Sequence, residues 1–485
     1  MKKLTILAFT VLSLLACSRG TVLNENLPEI FPDYIGVSIP VGIAPLNFSL
    51  EGDWDKVYVE VTGEKCGRIT TKGNYARFNI RKWHKLTEEN RGGQLNFTVL
   101  GLKNGQWTQF RTFVLYISDK PLTDYGVTYR KIAPGYTTYS RIGIYQRNIH
   151  NFKEKPIIES TLVPGQCIGC HTANRTSSEQ FMFHARGKHG ATLVQQNGER
   201  EWLATKTDKT IGNVAYTYWH PGGDYFAGSI DPVRQCFWTG NERWIEVFDL
   251  ASDVIVMDMR THEVLHSPLL ESDMLEMQPA FSADGKWLYF CLAKSCNVPA
   301  EVDSVRYDLC RIGFDAATGS FGDSVETVIP ASSMGRSITW PRPSYDGKYL
   351  MFCVTDFSCF PIDHKEADLW LLDLQTGEYA PMTEANSEFS ESYHNWSSDS
   401  GWFLFSSRRL DGLYGTMWFS TIGEGGKATK PFLLPQKNPK QYYNTTNYSF
   451  NVPDFTDKEV EFNPAGVYKE VFSDERTNAI EKEQS

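Results

Sequence analysis

The stretch MQPAFSADGKWLYFCL, residues 277–292, places two short apolar segments on either side of an Asp-Gly turn. Three other stretches place apolar segments around a similar turn that contains Gly and Asp: YTYWHPGGDYFAGS (216–229), WPRPSYDGKYLMFCV (340–354) and HNWSSDSGWFLFSS (394–407). They align on Gly223, Gly285, Gly347 and Gly401, at steps of 62, 62 and 54 residues. A strand pair that recurs at such a period predicts blades arranged around an axis, a β-propeller.

A second set of segments repeats at the same period. DVIVMDMRTHE, DLCRIGFDAATG and DLWLLDLQTGE align on Asp253, Asp308 and Asp368, at steps of 55 and 60 residues. They supply the outer strands of the same blades, so each unit has four strands. Four blades are clear, and the flanking segments bring the expected number to about six. The propeller is predicted over residues 121–456, closed by NYSFNVPDF, with a polar tail over 457–485.

The PAFSADGKWLYF signature resembles the TolB-type propeller repeat over roughly residues 215–420. The whole chain is similar to bacterial TolB-like lipoproteins that carry an inserted haem-c motif, which are sometimes labelled cytochrome c biogenesis proteins. The resemblance implies a β-propeller and an envelope location. That label does not by itself imply that this protein takes part in cytochrome c biogenesis.

The N-terminus predicts export. Two lysines precede an apolar run that ends in LLAC, which is a secretory signal too short for a membrane span. LLAC also resembles a bacterial lipobox, which makes Cys17 the lipidated residue, with a tether over 18–34. Ser18 and the lack of a following acidic cluster favour the outer membrane and its periplasmic side. The lipid is the only expected membrane contact.

Residues 35–120 alternate apolar and polar positions between Gly-rich turns. This pattern predicts a β-sandwich of the immunoglobulin type before the propeller. The 13 Trp, 23 Tyr and 29 Phe residues also favour an all-β protein. The net charge of −10 argues against nucleic acid as a partner, because a basic phosphate-contacting face is missing.

The segment VPGQCIGCHTANRTSSEQFMFHARGKHG, residues 163–190, contains a complete C-x-x-C-H motif. In c-type cytochromes two such thiols add to the haem vinyl groups, and the adjacent imidazole binds the iron. Cys167 and Cys170 are therefore the expected attachment points, and His171 is the expected proximal iron ligand. Three alternatives remain: a C-x-x-C disulfide, zinc bound by both cysteines and two histidines, and a structural loop with free thiols, which an oxidising compartment disfavours.

The residues after the motif supply candidates for the sixth iron ligand. SEQFMFHAR, residues 178–186, is expected to form a short helix that ends at Gly187. The alternative sixth ligands on or near it are His184, Met182 and His189, and Arg186 is a candidate partner for a haem propionate. The segment 163–190 is expected to be a short helical insertion into the first part of the propeller.

The first strand of each blade lines the channel of a propeller. The residue seven positions before each aligned glycine is Tyr216, Gln278, Trp340 or His394, and these are candidate ligand-binding residues. Hairpin-end disulfides are expected between Cys291 and Cys296 and between Cys353 and Cys359. Cys310 is an alternative partner, and Cys66 and Cys236 are expected to be free.

Three functions follow from these features. The first is electron transfer or redox sensing by a haem c protein, with a redox partner or another envelope protein. The second is a non-enzymatic propeller that binds a peptide, glycan or envelope protein. The third, a hydrolase, is disfavoured because the sequence has no G-x-S-x-G elbow, phosphate-binding loop or H-E-x-x-H motif.

Overall fold

The structure, a computed structural model, describes residues 20–133, 141–237, 245–473 and 475–482. The predicted signal sequence and lipidation site, Cys17, lie outside these residues. The described chain divides into two compact units. The first comprises residues up to Asp119 together with Pro435–Thr445, and the second comprises Lys120–Leu434 and the residues from Thr446 onward. Among the described residues, no helix is both long and apolar enough to cross a bilayer.

The first unit is built mainly of strands. Its strands are β1 (Val22–Leu23), β2 (Ile30–Phe31), β3 (Ser38–Ile39), β4 (Ser49–Leu50), β5 (Lys56–Gly63), β6 (Arg68–Gly73), β7 (Gln94–Lys103), β8 (Gln106–Gln109) and β9 (Phe113–Ile117). In the described part a seven-stranded sheet runs β1-β8-β7-β5-β6, with β9 paired to β7 and β3. Strands β2 and β4 form a separate pair.

Two helices complete this unit, α1 (Ile80–Glu89) and α2 (Pro439–Thr445). Neither was expected from the sequence. Asn79 caps the N-terminus of α1: its side chain accepts a hydrogen bond from the Lys82 backbone amide, which has no partner within the helix. Its Trp83 is fully buried and stacks on Phe78, with 5.3 Å between ring centroids. The helix therefore covers part of the aromatic core of the sheet.

The second unit is a β-propeller with six blades in its described residues, as the repeats predict. The first blade contains β10 (Gly126–Ile132), β11 (Ile142–Asn148) and β12 (Glu154–Glu159). The second blade contains β13 (Cys167–Ala173), β14 (Phe181–Arg186), β15 (Ala191–Gln196) and β16 (Glu199–Ala204). The third blade contains β17 (Ala215–Trp219), β18 (Tyr225–Ile230), β19 (Val233–Phe237), β20 (Ile245–Asp249), β21 (Asp253–Asp258) and β22 (Glu263–Leu265). Strands β19 and β20 form a separate hairpin inserted into the third blade.

The remaining blades are four-stranded. The fourth blade contains β23 (Leu275–Phe281), β24 (Trp287–Ala293), β25 (Asp308–Asp315) and β26 (Ser320–Ile329). The fifth blade contains β27 (Ser337–Pro343), β28 (Tyr349–Thr355), β29 (Asp368–Asp373) and β30 (Tyr379–Pro381). The sixth blade contains β31 (Glu391–Trp396), β32 (Trp402–Ser407), β33 (Thr416–Thr421) and β34 (Phe432–Leu433). Strand β35 (Ser449–Thr456) pairs with β10 as the innermost strand of the first blade. This pairing joins the end of the propeller to its beginning.

The C-terminal residues pack on the propeller rather than forming only a polar tail. They form α3 (Val467–Phe472), β36 (Thr477–Asn478) and β37 (Ile480–Glu481). Strand β36 extends the second blade by pairing with β16, and β37 extends the third by pairing with β22. Val467 and Val471 of α3 are fully buried, so these segments also contribute apolar packing.

The C-x-x-C-H segment is not a helical insertion. Cys167–Ala173 is the innermost strand of the second blade, and Phe181–Arg186 is the next strand. The expected helix over 178–186 is wrong because alternate residues of this segment face two different cores. Phe181 and Phe183 pack towards the first blade, and Met182 packs towards the third. This two-residue periodicity is that of a strand.

Candidate functional site

One backbone feature recurs in the innermost strand of every blade. Cys170, Tyr216, Gln278, Trp340, Tyr393 and Val452 all have positive φ angles, between 45° and 57°. At each of these positions the pairing with the neighbouring strand shifts, which identifies a β-bulge. The six bulges are equivalent positions around the axis.

The bulge residues can be compared with the four residues that the sequence predicts to line the channel. Tyr216, Gln278 and Trp340 are the bulge residues of their strands, but in the sixth blade the bulge residue is Tyr393 rather than His394. The turn of the sixth blade has the same length as those of the third, fourth and fifth, but its left-handed position is Ser400, with a φ of 58°, and the aligned Gly401 is the next residue. His394 is buried, and its Nδ1 lies 3.7 Å from the Cys353 sulfur. The assignment of His394 by glycine counting is therefore shifted by one residue.

Cys170 was missed as a member of this set. Strand β24 begins nine residues after Gln278, whereas β14 begins eleven residues after Cys170. The turn of the second blade is thus two residues longer, and it has no Asp-Gly sequence. The sequence feature that still indicates a blade strand here is the alternation of Phe181 and Phe183 with Met182.

Both cysteines of the motif contact guanidinium groups. Arg186 Nη2 lies 3.1 Å from Cys170 Sγ, and Arg130 Nη2 lies 3.3 Å from Cys167 Sγ. Arg130 also donates from Nε to the Ile168 carbonyl at 3.1 Å. Each cysteine sulfur therefore accepts a hydrogen bond from a positively charged side chain. We call Arg130, Cys167, Cys170 and Arg186 the cysteine–arginine site.

Aromatic side chains line the channel next to this site. The Arg186 guanidinium lies 5.8 Å from the Tyr216 ring centroid, and Tyr216 makes edge contacts with Trp340 and Phe360. Trp340 in turn packs edge-on against Tyr393, with centroids 4.9 Å apart. Burial raises the pKa of both tyrosines, so both phenols are neutral at physiological pH.

Gln278 serves the structure of the channel. Its amide group donates to the Cys359 carbonyl at 3.1 Å and accepts from the Trp340 amide at 2.6 Å. Its own backbone amide donates to the Ser229 hydroxyl at 2.7 Å. With these partners the side chain connects innermost strands of adjacent blades.

His171 is 2% exposed, and neither ring nitrogen has a hydrogen-bond partner. Burial and the nearby Arg130 lower its pKa to about 3, which a weak interaction with the Thr128 backbone opposes, so the imidazole is neutral. Cys170 and His171 line a channel cavity of about 20 Å³, together with Arg342, Asn395 and Asp454 among others. This volume holds about one water molecule. In this arrangement of β13 a haem does not fit beside His171.

The three alternative sixth ligands lie in different environments. Met182 is fully buried in the apolar core between the second and third blades. His189 stacks edge-on against Phe472, with 5.1 Å between centroids. His184 is 2% exposed, and its Nδ1 lies 2.8 Å from the Thr192 hydroxyl, whereas Nε2 has no partner. In the described ranges, no three His, Cys, Asp or Glu side chains are grouped so as to hold a metal ion.

The cysteines of the described residues are all free thiols. The expected pairs Cys291–Cys296 and Cys353–Cys359 are therefore not formed. The Cys359 sulfur instead lies 3.2 Å from the Asp249 carboxylate, which also accepts a hydrogen bond from the Tyr307 hydroxyl at 2.9 Å. Cys291 faces the apolar core between the fourth and fifth blades.

A larger cavity lies beside Arg186, between the second and third blades. Its volume is about 220 Å³, and we call it the inter-blade cavity. It is lined by His184, Ala185, Arg186, Gly187, Gly190, Ala191, Thr192, Asn213, Val214, Ala215 and Asp231. Burial lowers the pKa of His184 to about 3, and Arg186 acts in the same direction. Burial and then Asp249 raise the pKa of Asp231, which favours its neutral form.

These features define a six-bladed β-propeller with a cysteine–arginine site on its channel and a polar cavity next to it. Among solved structures the chain is similar to TolB from Acinetobacter baumannii, with 14% identity, a TM-score of 0.40, and coverage of 71% of this chain and 79% of that one. It is also similar to an oligogalacturonate lyase in complex with manganese, at 12% identity, a TM-score of 0.36, and coverage of 62% and 72%.

A puromycin-hydrolysing peptidase of Mycobacterium tuberculosis is also similar, at 13% identity and a TM-score of 0.35, with coverage of 71% of this chain and 52% of that one. At these values the likeness concerns the propeller fold and not an activity. No protein-family model and no curated protein sequence matches the chain.

Proposed function

We propose that the protein is a non-enzymatic β-propeller of the cell envelope that binds a ligand in the inter-blade cavity. The observation that carries this proposal is the polar lining of the cavity, in which a charged guanidinium, Arg186, adjoins a buried imidazole, His184, whose Nε2 has no partner. A buried polar atom without a partner costs free energy, which a ligand can recover. Ligand sites in proteins combine an enclosed space with a few such groups.

The inter-blade cavity can be tested by ligand-observed NMR with the mature chain and a mixture of small polar metabolites. Asn213 is exposed at the edge of the cavity, so Asn213→Trp places a bulky ring there without disturbing the core. We expect this variant to abolish the binding signals. Asn297→Trp, an exposed change in the fourth blade, is the matched control and should leave them intact. Equal binding by both variants would exclude this cavity as the site.

The location of the protein is part of the proposal. We propose that Cys17 carries a lipid, that the N-terminal unit is immunoglobulin-like as the sequence predicts, and that the protein faces the periplasm from the outer membrane. The lipobox resemblance supports the lipid anchor. Metabolic labelling with a fatty acid should label the protein, and Cys17→Ser should abolish the label. A wild-type protein that takes up no fatty acid would contradict a lipid anchor.

A second proposal is electron transfer or redox sensing through a covalent haem c at Cys167, Cys170 and His171. The complete motif favours it, and so do the ring nitrogens of His171, which have no hydrogen-bond partner. Because the adjoining cavity is small, attachment requires β13 to leave its position in the channel. The pyridine haemochrome spectrum of denatured protein from a host with haem-attachment machinery tests this proposal. A protein without covalently retained haem would exclude it.

A further inference from the structure

We infer that the inter-blade cavity binds a small organic carboxylate, with Arg186 as the ion-pair partner and His184 as a hydrogen-bond donor. This inference rests on the proposed function, because it names the class of ligand for the same cavity. The C-x-x-C-H motif suggests a haem, whereas this inference concerns a small organic carboxylate. The charge, the hydrogen-bonding capacity and the volume of the cavity all favour this class.

The charge of the cavity favours an anion. Arg186 is permanently charged, and its guanidinium has five N–H donors. The Cys170 contact uses Nη2, which leaves other donors for a ligand. The nearby Cys170 outweighs burial and raises the pKa of Arg186. Burial and then Asp249 raise the pKa of Asp231, the carboxyl group of the lining, and together they outweigh Arg186, which lowers it, so the neutral form of Asp231 is favoured beside the charged Arg186.

The geometry around His184 provides a neutral donor. Its Nδ1 lies 2.8 Å from the Thr192 hydroxyl, and both residues line the cavity. When the hydroxyl donates to Nδ1, the proton of the neutral ring is on Nε2, the nitrogen without a protein partner. An oxygen of a carboxylate can accept this hydrogen bond while another is held by the guanidinium. A neutral Asp231 can donate a further hydrogen bond.

The size of the cavity selects a small molecule. Its volume of about 220 Å³ lies below the range of roughly 300–1,000 Å³ that is typical of sites for drug-sized ligands. Gly187, Gly190, Ala185, Ala191 and Ala215 contribute small or absent side chains to the lining, which keeps the space open. A short dicarboxylate fits these dimensions better than an extended peptide or a glycan chain.

Calorimetry with the mature chain tests the inference, with sodium succinate as the probe. Succinamide is its neutral analogue, and 1,4-diaminobutane is a cation of similar length. We expect succinate to bind and the other two to bind at least tenfold more weakly. Arg186→Gln should weaken succinate at least tenfold, the loss expected for one charge-assisted hydrogen bond of about 1.4 kcal/mol. The matched control is Arg141→Gln, an exposed change on the first blade.

Two further measurements separate the inference from the proposed function and from a folding defect. If the analogues bind as tightly as succinate and Asn213→Trp abolishes this, the carboxylate inference fails and the cavity proposal stands. If succinate does not bind at tens of millimolar, the inference is overturned. Thermal unfolding of Arg186→Gln shows whether that variant is folded.

Discussion

Arg186 and Cys170 lie on adjacent strands of the second blade, with 3.1 Å between the guanidinium Nη2 and the thiol sulfur. Cys170 is also the bulge residue of its strand, so its thiol stands at the channel where the other blades present Tyr216, Trp340 or Tyr393. The motif thus contributes a thiol in contact with a guanidinium to a channel that is otherwise lined largely by aromatic rings at these positions.

Gly285 packs against His220 of the preceding blade, and this contact predicts a costly substitution. A Cβ at Gly285 would overlap the His220 imidazole, and the φ angle of 72° is also unfavourable for alanine. Gly377→Ala has the same backbone cost, with a φ of 77° but open space around the added methyl. We expect Gly377→Ala to lower the free energy of unfolding by about 1 kcal/mol and Gly285→Ala by about 2–4 kcal/mol. Denaturant unfolding that gives equal losses would mean that the His220 ring moves aside freely.

Val452 predicts a stabilising change. It occupies the bulge of β35 at a φ of 49°, which is strained for a β-branched residue. Asparagine tolerates this conformation, so Val452→Asn should raise the free energy of unfolding by about 1 kcal/mol. Val233→Asn, at an exposed position of a regular strand, is the control and should be neutral or destabilising. A lower melting temperature for Val452→Asn would show that the valine contributes packing that exceeds its strain.

His364 predicts a loss of stability at alkaline pH. It is fully buried, 3.3 Å from Glu246 and 3.1 Å from Glu366. Burial alone would lower its pKa, but the hydrogen bonds to the two carboxylates outweigh it and raise the pKa to about 9. The folded state therefore holds a proton that the unfolded state releases near pH 6.5.

The stabilisation from His364 is complete below about pH 6.5 and is lost as the pH rises through 9. Between pH 7 and 9.5 the free energy of unfolding should fall by about 2 kcal/mol because of this residue. His364→Asn should be less stable at pH 7 and should show a smaller decline over the same range. Parallel curves for the two proteins, measured by denaturant unfolding, would contradict the assignment.

The propeller could be predicted because its repeats are local. Each glycine-containing turn and each alternating strand is encoded within about 15 residues, and the period is visible in the chain. The second blade was missed because its turn is longer and contains no glycine. Its C-x-x-C-H motif is strongly associated with haem attachment, and for that reason the sequence analysis predicts an insertion here rather than a blade strand. The alternation of Phe181 and Phe183 with Met182 is the two-residue period of a strand, and it indicates the correct structure.

The sequence by itself determined the all-β propeller and its approximate blade number, since turn chemistry and apolar alternation are properties of neighbouring residues. Only the tertiary structure decided where Cys170, Arg186 and Asp231 lie relative to one another. These residues come from separate strands and a loop, and the packing of the second blade against the third brings them together around Arg186. Their contacts and the volume of the inter-blade cavity depend on how adjacent blades pack, and no local pattern records that packing.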